Sequence, residues 1–348
     1  MGGGSTNYSS SDYSFDDKPA VTRKSAADYA ASDNRRYVAP TRVRLPSVKE
    51  TEMKTDGKLA MAIMLDTTGS MYKLPGFFFE RTPAIYVETN AAMQGKDLKQ
   101  LKSGEKLEDL LDVGIISVGD TASDQIPIQA FGYCHGQELV ENIKKILPSG
   151  RGGGNAVESY DLAAYYLLKH SKTPQIPQGL KPLLIIIGDE GFYEDIKPED
   201  VKAHLGDEIP GVLKTADVYK ALMKKFDVFM LRPEPIGEDG RKAYEEDTYK
   251  QIHKQWTGVL GPERVLKMDD TSRLVDDIVM VTGIYTKNYK RTMEYLERRQ
   301  IDPDHPEEGL TKLNEVLNTL HPILGAKAVA TEKARLRKKY SARNTTAD

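Results

Sequence analysis

The sequence predicts an α/β fold: a doubly wound, mostly parallel six-stranded sheet with one antiparallel edge strand, followed by a helical C-terminal extension. The first observation is a series of short, continuous apolar runs, which are typical of strands buried on both faces. The second is that helical periodicity lies between most of these runs, an alternation that predicts a sheet covered on both sides. The third is that strand signals stop near residue 288, after which helical patterns follow.

Composition and charge restrict the class of protein. The chain has 348 residues, 39% of them hydrophobic and 29% charged, which suits a globular core with a charged surface. Its formal net charge of −3 provides no global attraction to nucleic acid or membranes. The single cysteine, Cys134, excludes a disulfide within the chain and favours a reducing compartment. Because no secretory signal and no membrane-spanning apolar run are found, we expect a cytoplasmic protein.

Residues 1–50 precede the first strand signal. They show no helical or strand periodicity, and their mixture of glycine, serine, tyrosine and aspartate predicts a disordered arm. Near its end lies a short basic stretch formed by Arg35, Arg36, Arg42 and Arg44. A solvated linker is favoured over a nucleic-acid-binding arm as the interpretation of this stretch.

Six strands and six helices are predicted within residues 51–288. The strands cover residues 59–65, 113–118, 128–133, 183–187, 227–231 and 265–266. The short connection before the third run indicates a hairpin, which makes that strand antiparallel. The helices cover residues 84–101, 137–146, 156–170, 213–226, 244–256 and 271–281. Three more helical patterns, at 291–299, 311–320 and 327–343, make residues 289–348 a helical appendage with a basic end.

Polar residues follow the first apolar run directly. Asp66, Thr68 and Ser70 occupy alternate positions in the segment Asp-Thr-Thr-Gly-Ser-Met. In an open α/β sheet, ligands bind beyond the carboxyl ends of the strands, so these side chains can point toward one centre. One carboxylate and two hydroxyls form a hard oxygen set that suits Mg²⁺. Taken alone, the segment is equally compatible with a turn that leads into a helix N-cap.

Two further segments favour a cation site. The glycine-rich segment 150–155 ends in Asn155, and Glu158 follows three residues later, which is the spacing of a helix capping box. The glycines would also let the backbone approach a bound ion closely. Asp189 follows the apolar run 183–187 and places a second carboxylate at the tip of a central strand. A single cation between these segments is the most economical account.

Together, the Asp-x-Thr-x-Ser segment, the glycine loop and the second aspartate resemble the metal-ion-dependent adhesion site of von Willebrand factor A (VWA) domains. The resemblance covers about residues 57–287. It implies a Rossmann-like fold that holds Mg²⁺, or Mn²⁺ or Ca²⁺ in its place. The ligands that it implies are Asp66, Thr68, Ser70, Asn155 and Asp189. The family usually has serine at Thr68 and commonly threonine at Asn155, which here can offer a carbonyl oxygen.

The same resemblance implies a binding module, not an enzyme. A cation with few charged ligands and one open position accepts a carboxylate from a protein partner. The loops at 71–79 and 191–207 would supply specificity, with the three consecutive phenylalanines from Phe77 either in the core or flanking the ion. Cytosolic relatives commonly serve AAA+ ATPases or multi-subunit assemblies, and we expect no nucleic-acid or membrane partner. Asp120, after the second strand, is a candidate to support the ligands from behind.

Two alternatives stay open. A Mg²⁺-dependent phosphohydrolase of the haloacid-dehalogenase type also starts with aspartate after its first strand, but it needs a second acid where this chain has Thr68. A structural subunit of a large assembly would use the N-terminal arm and the basic C-terminal helix for docking that needs no metal. The motifs of serine hydrolases and of P-loop nucleotide-binding proteins are missing from the sequence.

Overall fold

The computed structural model describes most of the chain between Val48 and Ser341. The described residues are 48, 51–71, 74–94, 96, 108, 110–124, 126–143, 145–147, 156–177, 179–234 and 245–341. Apart from Val48, the predicted N-terminal arm lies outside the described residues, and so does the whole glycine-rich segment 150–155, which includes Asn155.

Six strands form the central sheet, and their ends lie within two residues of the predicted ones. In chain order they are β1 (Leu59–Asp66), β2 (Leu111–Val118), β3 (Ile128–Cys134), β4 (Leu183–Ile187), β5 (Asp227–Pro233) and β6 (Val265–Met268). Across the sheet the order is β6-β5-β4-β1-β2-β3. Four of the five pairings are parallel and β2–β3 is antiparallel. The predicted six-stranded sheet with an antiparallel edge strand is confirmed.

Strand β1 lies in the middle of the sheet because it is apolar on both faces. All eight of its residues are buried. Met61 and Ile63 belong to the core on one face, and Ala62 and Met64 belong to the core on the other. A strand without polar alternation loses hydrophobic free energy unless both faces are covered. We call the two cores the Met61 core and the Met64 core.

Helices supply the cover on both faces. The longer helices of the described part are α1 (Leu74–Gln94), α2 (Gly136–Ile143), α3 (Tyr160–His170), α4 (Thr215–Lys225), α5 (Glu246–Leu260), α6 (Leu274–Tyr285), α7 (Tyr289–Gln300), α8 (Pro306–Thr319) and α9 (Ala326–Ser341). Apolar residues of α3, α4 and α5 belong to the Met64 core, and those of the other helices belong to the Met61 core. None of the described helices is long and apolar enough to cross a membrane.

Shorter elements connect these helices and strands. Two-residue strands pair Met53–Lys54 with Ser171–Lys172, Val157–Glu158 with Gly191–Phe192, and Asp195–Ile196 with Leu213–Lys214. Short helical turns cover Gly69–Met71, Pro198–Asp200, Val201–Leu205, Pro262–Arg264, Thr271–Arg273 and His321–Leu324. The sequence predicted none of the two-residue strands, because two residues are too few to show a periodicity.

The predicted start of the first helix at residue 84 is wrong. Helix α1 begins ten residues earlier, at Leu74, and Pro83 lies inside it. The sequence favoured a start after this proline because proline removes a backbone hydrogen bond and usually interrupts a helix. The early start places the phenylalanines at 77–79 on a helix: Phe78 is fully buried, while Phe77 and Phe79 are partly buried against the Met61 core.

The C-terminal helices pack onto the Met61 core. Leu296 of α7, Leu317 of α8 and Leu336 of α9 are fully buried in it. Helix α9 is also held by Glu297 of α7, which is 1% exposed. The carboxylate of Glu297 accepts hydrogen bonds from donors of α9, namely Arg335 Nη2 at 2.7 Å, Tyr340 Oη at 2.9 Å and Lys339 Nζ. Burial alone would raise the pKa of Glu297, but these donors outweigh burial and lower the pKa.

We expect Glu297→Gln to loosen helix α9 and to lower the free energy of unfolding by about 2 kcal/mol, because it removes the charge that the donors surround. Urea unfolding measures the loss, and hydrogen exchange locates it in α9. Glu332→Gln is the matched control, since Glu332 pairs with the same Arg335 at 2.7 Å in a more exposed contact. The control should change stability by less than about 0.5 kcal/mol. Equal losses in both variants would contradict the assignment.

Candidate metal centre

The first predicted ligand, Asp66, is the last residue of β1 and is fully buried. Its Oδ1 accepts hydrogen bonds from Thr68, at 2.8 Å from the backbone nitrogen and at 2.6 Å from Oγ1. Its Oδ2 accepts a hydrogen bond from the hydroxyl of Tyr160 at 2.7 Å. These bonds close a tight turn directly after the strand, so the carboxylate is fixed at the carboxyl end of the sheet.

The segment that begins with Asp66 contacts the segment that carries Asp189 through Ser70. Its Oγ donates a hydrogen bond to Asp189 Oδ1 at 3.0 Å and lies 3.3 Å from Thr68 Oγ1. Asp189 follows the end of β4, the strand beside β1 in the sheet. The structure therefore brings together Asp66, Thr68, Ser70 and Asp189, as the sequence predicted. The fifth predicted ligand, Asn155, lies outside the described residues.

The surroundings of Asp66 and Asp189 disfavour ionisation of both carboxyl groups. Burial, followed by the negative charge of Glu190, raises the pKa of Asp66 to about 7, against the opposing effect of its hydrogen bonds to Thr68. Burial and the carboxylates of Asp66 and Glu190 raise the pKa of Asp189 well above its usual range. Asp189 Oδ2 is buried and has no hydrogen-bond partner among the described residues. A proton or a cation is needed to offset this charge.

Glu158 also belongs to this acidic cluster, although its spacing in the sequence predicts a helix cap. It is fully buried beside the side chain of Glu190. Burial, then the charges of Asp66 and Glu190, raise the pKa of Glu158 to about 11. The predicted capping box is wrong, because Glu158 pairs with Phe192 in a short strand and helix α3 begins only at Tyr160.

Asp120, the candidate for a supporting role, contacts residues other than the four clustered ligands. It is buried after the end of β2, and its Oδ1 accepts hydrogen bonds from Tyr193 Oη at 2.6 Å and from the nitrogen of Ala122 at 3.0 Å. Its charge is among those that raise the pKa of Glu158. Asp120 therefore links this acidic cluster to Tyr193, which follows Asp189 in the chain.

Gly188 allows the two ligand-bearing strand ends to come close together. A Cβ atom at this position would lie 1.7 Å from the hydroxyl oxygen of Tyr160 and 3.2 Å from Cβ of Asp66. Any other residue would push the tyrosine away from the carboxylate to which it donates. The glycine before Asp189 is thus explained by a close approach and not by an unusual backbone angle.

The donor set suits a small hard cation. It consists of two carboxylates and two hydroxyls, and Mg²⁺ is commonly held by one or two carboxylates with water filling its other positions. The unpartnered Oδ2 of Asp189 is a buried acceptor that such an ion would satisfy. In the part of the chain that the structure describes, no three His, Cys, Asp or Glu side chains are arranged to hold a metal ion. The fit therefore depends on the hydroxyls of Thr68 and Ser70.

The thiol of Cys134 and the imidazoles of His135 and His170 lie away from this site. Cys134 is buried, which raises the pKa of its thiol to about 12. His135 contacts Asp112 at 2.7 Å, at the opposite end of the sheet from Asp66. His170 contacts Asp207 at 2.7 Å, at the end of α3 remote from Tyr160. None of these three groups is positioned to act on a ligand at the Asp66 cluster.

The chain matches no protein-family model and no curated protein. Among solved structures, the open conformation of the pilus adhesin SpaC from Lactobacillus rhamnosus GG is 13% identical, with a TM-score of 0.45 over 69% of this chain and 31% of that one. Proximal thread matrix protein 1 from the mussel byssus is 9% identical, with a TM-score of 0.36 over 67% of this chain and 49% of that one. This chain thus spans less than half the length of either protein.

Proposed function

We propose that the chain is a VWA-like binding protein with a doubly wound, Rossmann-like fold that captures a protein partner through a divalent cation. The observation that carries the proposal is the hydrogen bond between Ser70 Oγ and Asp189 Oδ1 at 3.0 Å, which joins two loops 119 residues apart in sequence. Asp66 and Thr68 complete a cluster of four oxygen-bearing side chains there. Asn155 remains the proposed fifth ligand, and Mn²⁺ or Ca²⁺ could replace Mg²⁺.

The residues of this chain have two tasks in the proposed mechanism. Asp66 and Asp189 provide the charge that holds the cation, and Thr68 and Ser70 provide neutral oxygens that leave it only partly neutralised. When bound, the cation offers an open coordination position to an anionic oxygen. An aspartate or glutamate of the partner is the group that fits this position. The single cysteine, which is buried, supports a cytoplasmic setting.

Capture of partners from native lysate tests the proposal. We expect the wild-type chain to retain partners in millimolar Mg²⁺ and to release them in EDTA, because the partner's carboxylate binds the cation and not the protein. Asp66→Ala should lose the same partners in Mg²⁺. Retention that is insensitive to EDTA would contradict the adhesion mechanism and would favour a structural subunit with metal-independent docking.

A further inference from the structure

Arg232 is a fully buried cation beside the candidate metal centre. It follows Leu231 of β5, which is paired with Ile187 at the end of β4, so it lies next to the start of the loop that carries Asp189. Val228 and Met230 precede it at alternate positions and pack in the Met64 core. Arg232 is at the next alternate position after Met230. An arginine there is unexpected, because burial of a guanidinium costs free energy unless the group is fully hydrogen-bonded.

Its partners include main-chain carbonyls from two different elements. Arg232 Nη2 donates a hydrogen bond to the carbonyl of Asp189 at 3.2 Å. Nη1 and Nη2 both donate to the carbonyl of Tyr249 in helix α5, at 3.4 and 3.3 Å. The guanidinium also lies 3.9 Å from the centre of the Tyr249 ring. Arg232 therefore joins the backbone of a proposed ligand to helix α5.

Helix α5 also holds the residues that follow Asp189. Trp256 Nε1 donates a hydrogen bond to the carbonyl of Glu190 at 2.8 Å. The side-chain amide of Gln255 bonds to both the nitrogen and the carbonyl of Phe192, at 3.1 and 2.8 Å. Hydrogen bonds thus link the loop to helix α5 at Asp189, Glu190 and Phe192. The link at Asp189, the proposed ligand, runs through Arg232.

We propose that Arg232 is a positioning residue for the cation site: it fixes the backbone of Asp189 so that the carboxylate meets Ser70 and the cation. This inference rests on the proposed function. Two effects of the arginine oppose each other, since a positive charge near a cation repels it, while a fixed ligand binds it more tightly. The contact with the carbonyl of Asp189 leads us to infer that positioning outweighs repulsion.

The experiment measures Mn²⁺ binding by electron paramagnetic resonance, which counts free Mn²⁺ and reports the symmetry of the bound ion. We expect Arg232→Met, which keeps an unbranched side chain but removes the guanidinium, to raise the Kd at least about tenfold and to broaden the bound spectrum. Arg232→Lys keeps the charge but loses the planar fork that joins two carbonyls, so its Kd should rise at least about threefold. Circular dichroism verifies that each variant is folded.

Arg264→Met is the matched control. Arg264 Nη1 also donates to a carbonyl of β5, that of Val228, at 3.0 Å, and its guanidinium lies 5.1 Å from the centre of the Phe229 ring, but at the other end of the strand. The control should bind Mn²⁺ as the wild type does. An equal loss in the control would indicate general destabilisation and overturn the proposal.

The remaining outcomes separate this inference from the proposed function. An unchanged or lower Kd in Arg232→Met, or an unchanged Kd in a folded Arg232→Lys if the methionine variant does not fold, overturns the positioning role and leaves the cation site intact. Absence of Mn²⁺ binding by the wild-type chain overturns the proposed function and the inference together.

Discussion

Asp66→Asn is expected to abolish binding of Mg²⁺ and Mn²⁺ while leaving the metal-free protein at least as stable as the wild type. The amide oxygen can still accept the hydrogen bonds of Thr68, so the turn after β1 is retained. The substitution removes a buried negative charge that the charge of Glu190 repels, so we expect no loss of stability. It also removes one of two carboxylates from the donor set, and we expect the Kd to rise by at least about a hundredfold.

Calorimetric titration measures the affinity, and thermal unfolding in EDTA measures the stability. Asp112→Asn is the matched control, because Asp112 lies at the opposite end of the neighbouring strand β2, where it contacts Thr55 and His135. The control should lose stability and keep its affinity for the cation. Unchanged affinity in Asp66→Asn would exclude Asp66 as a ligand, and loss of affinity in both variants would point to unfolding instead.

The sequence was sufficient to predict which strand ends meet. The apolar runs of β1 and β4 are buried on both faces, so they must lie at the centre of the sheet with their carboxyl ends at one edge. Asp66 and Asp189 follow these runs, and the contact of Ser70 with Asp189 is what that placement predicts. The alternation of strands with helices depends on whole segments, so it is predicted correctly even where an individual boundary is wrong.

The sequence was not sufficient for residues whose roles depend on tertiary contacts. Glu158 has the spacing of a helix cap, yet it pairs with Phe192 in a short strand and its carboxylate is buried. Tyr160 lies at the start of a helical pattern and Arg232 directly follows an apolar run, and neither pattern indicates a contact with the site. Their polar ends reach Asp66 and Asp189 only because helix α3 and strand β5 pack beside the site. No local pattern encodes that packing.

A rise in pH should destabilise the metal-free protein, and a bound cation should stabilise it. In the metal-free protein the pKa of Asp66 is raised to about 7, whereas an unfolded aspartate titrates near its usual value of about 4. Between these values the folded state binds more protons than the unfolded state, so stability is highest below pH 4 as far as this group is concerned and falls as pH rises toward 7. Asp189 and Glu158, whose pKa values are also raised, act in the same direction.

A divalent cation at Asp66 and Asp189 takes the place of those protons, so it should stabilise the protein most where the protons are absent. With free cation about a hundredfold above Kd, we expect a gain of about 2.7 kcal/mol at about pH 8. At about pH 6 protons compete for the same oxygens, and the gain should fall to less than about half. Thermal unfolding in EDTA and in Mg²⁺ at both pH values measures the difference. An equal gain at both would show that the cation binds without displacing protons from this cluster, and Asp66→Asn should show no gain at either.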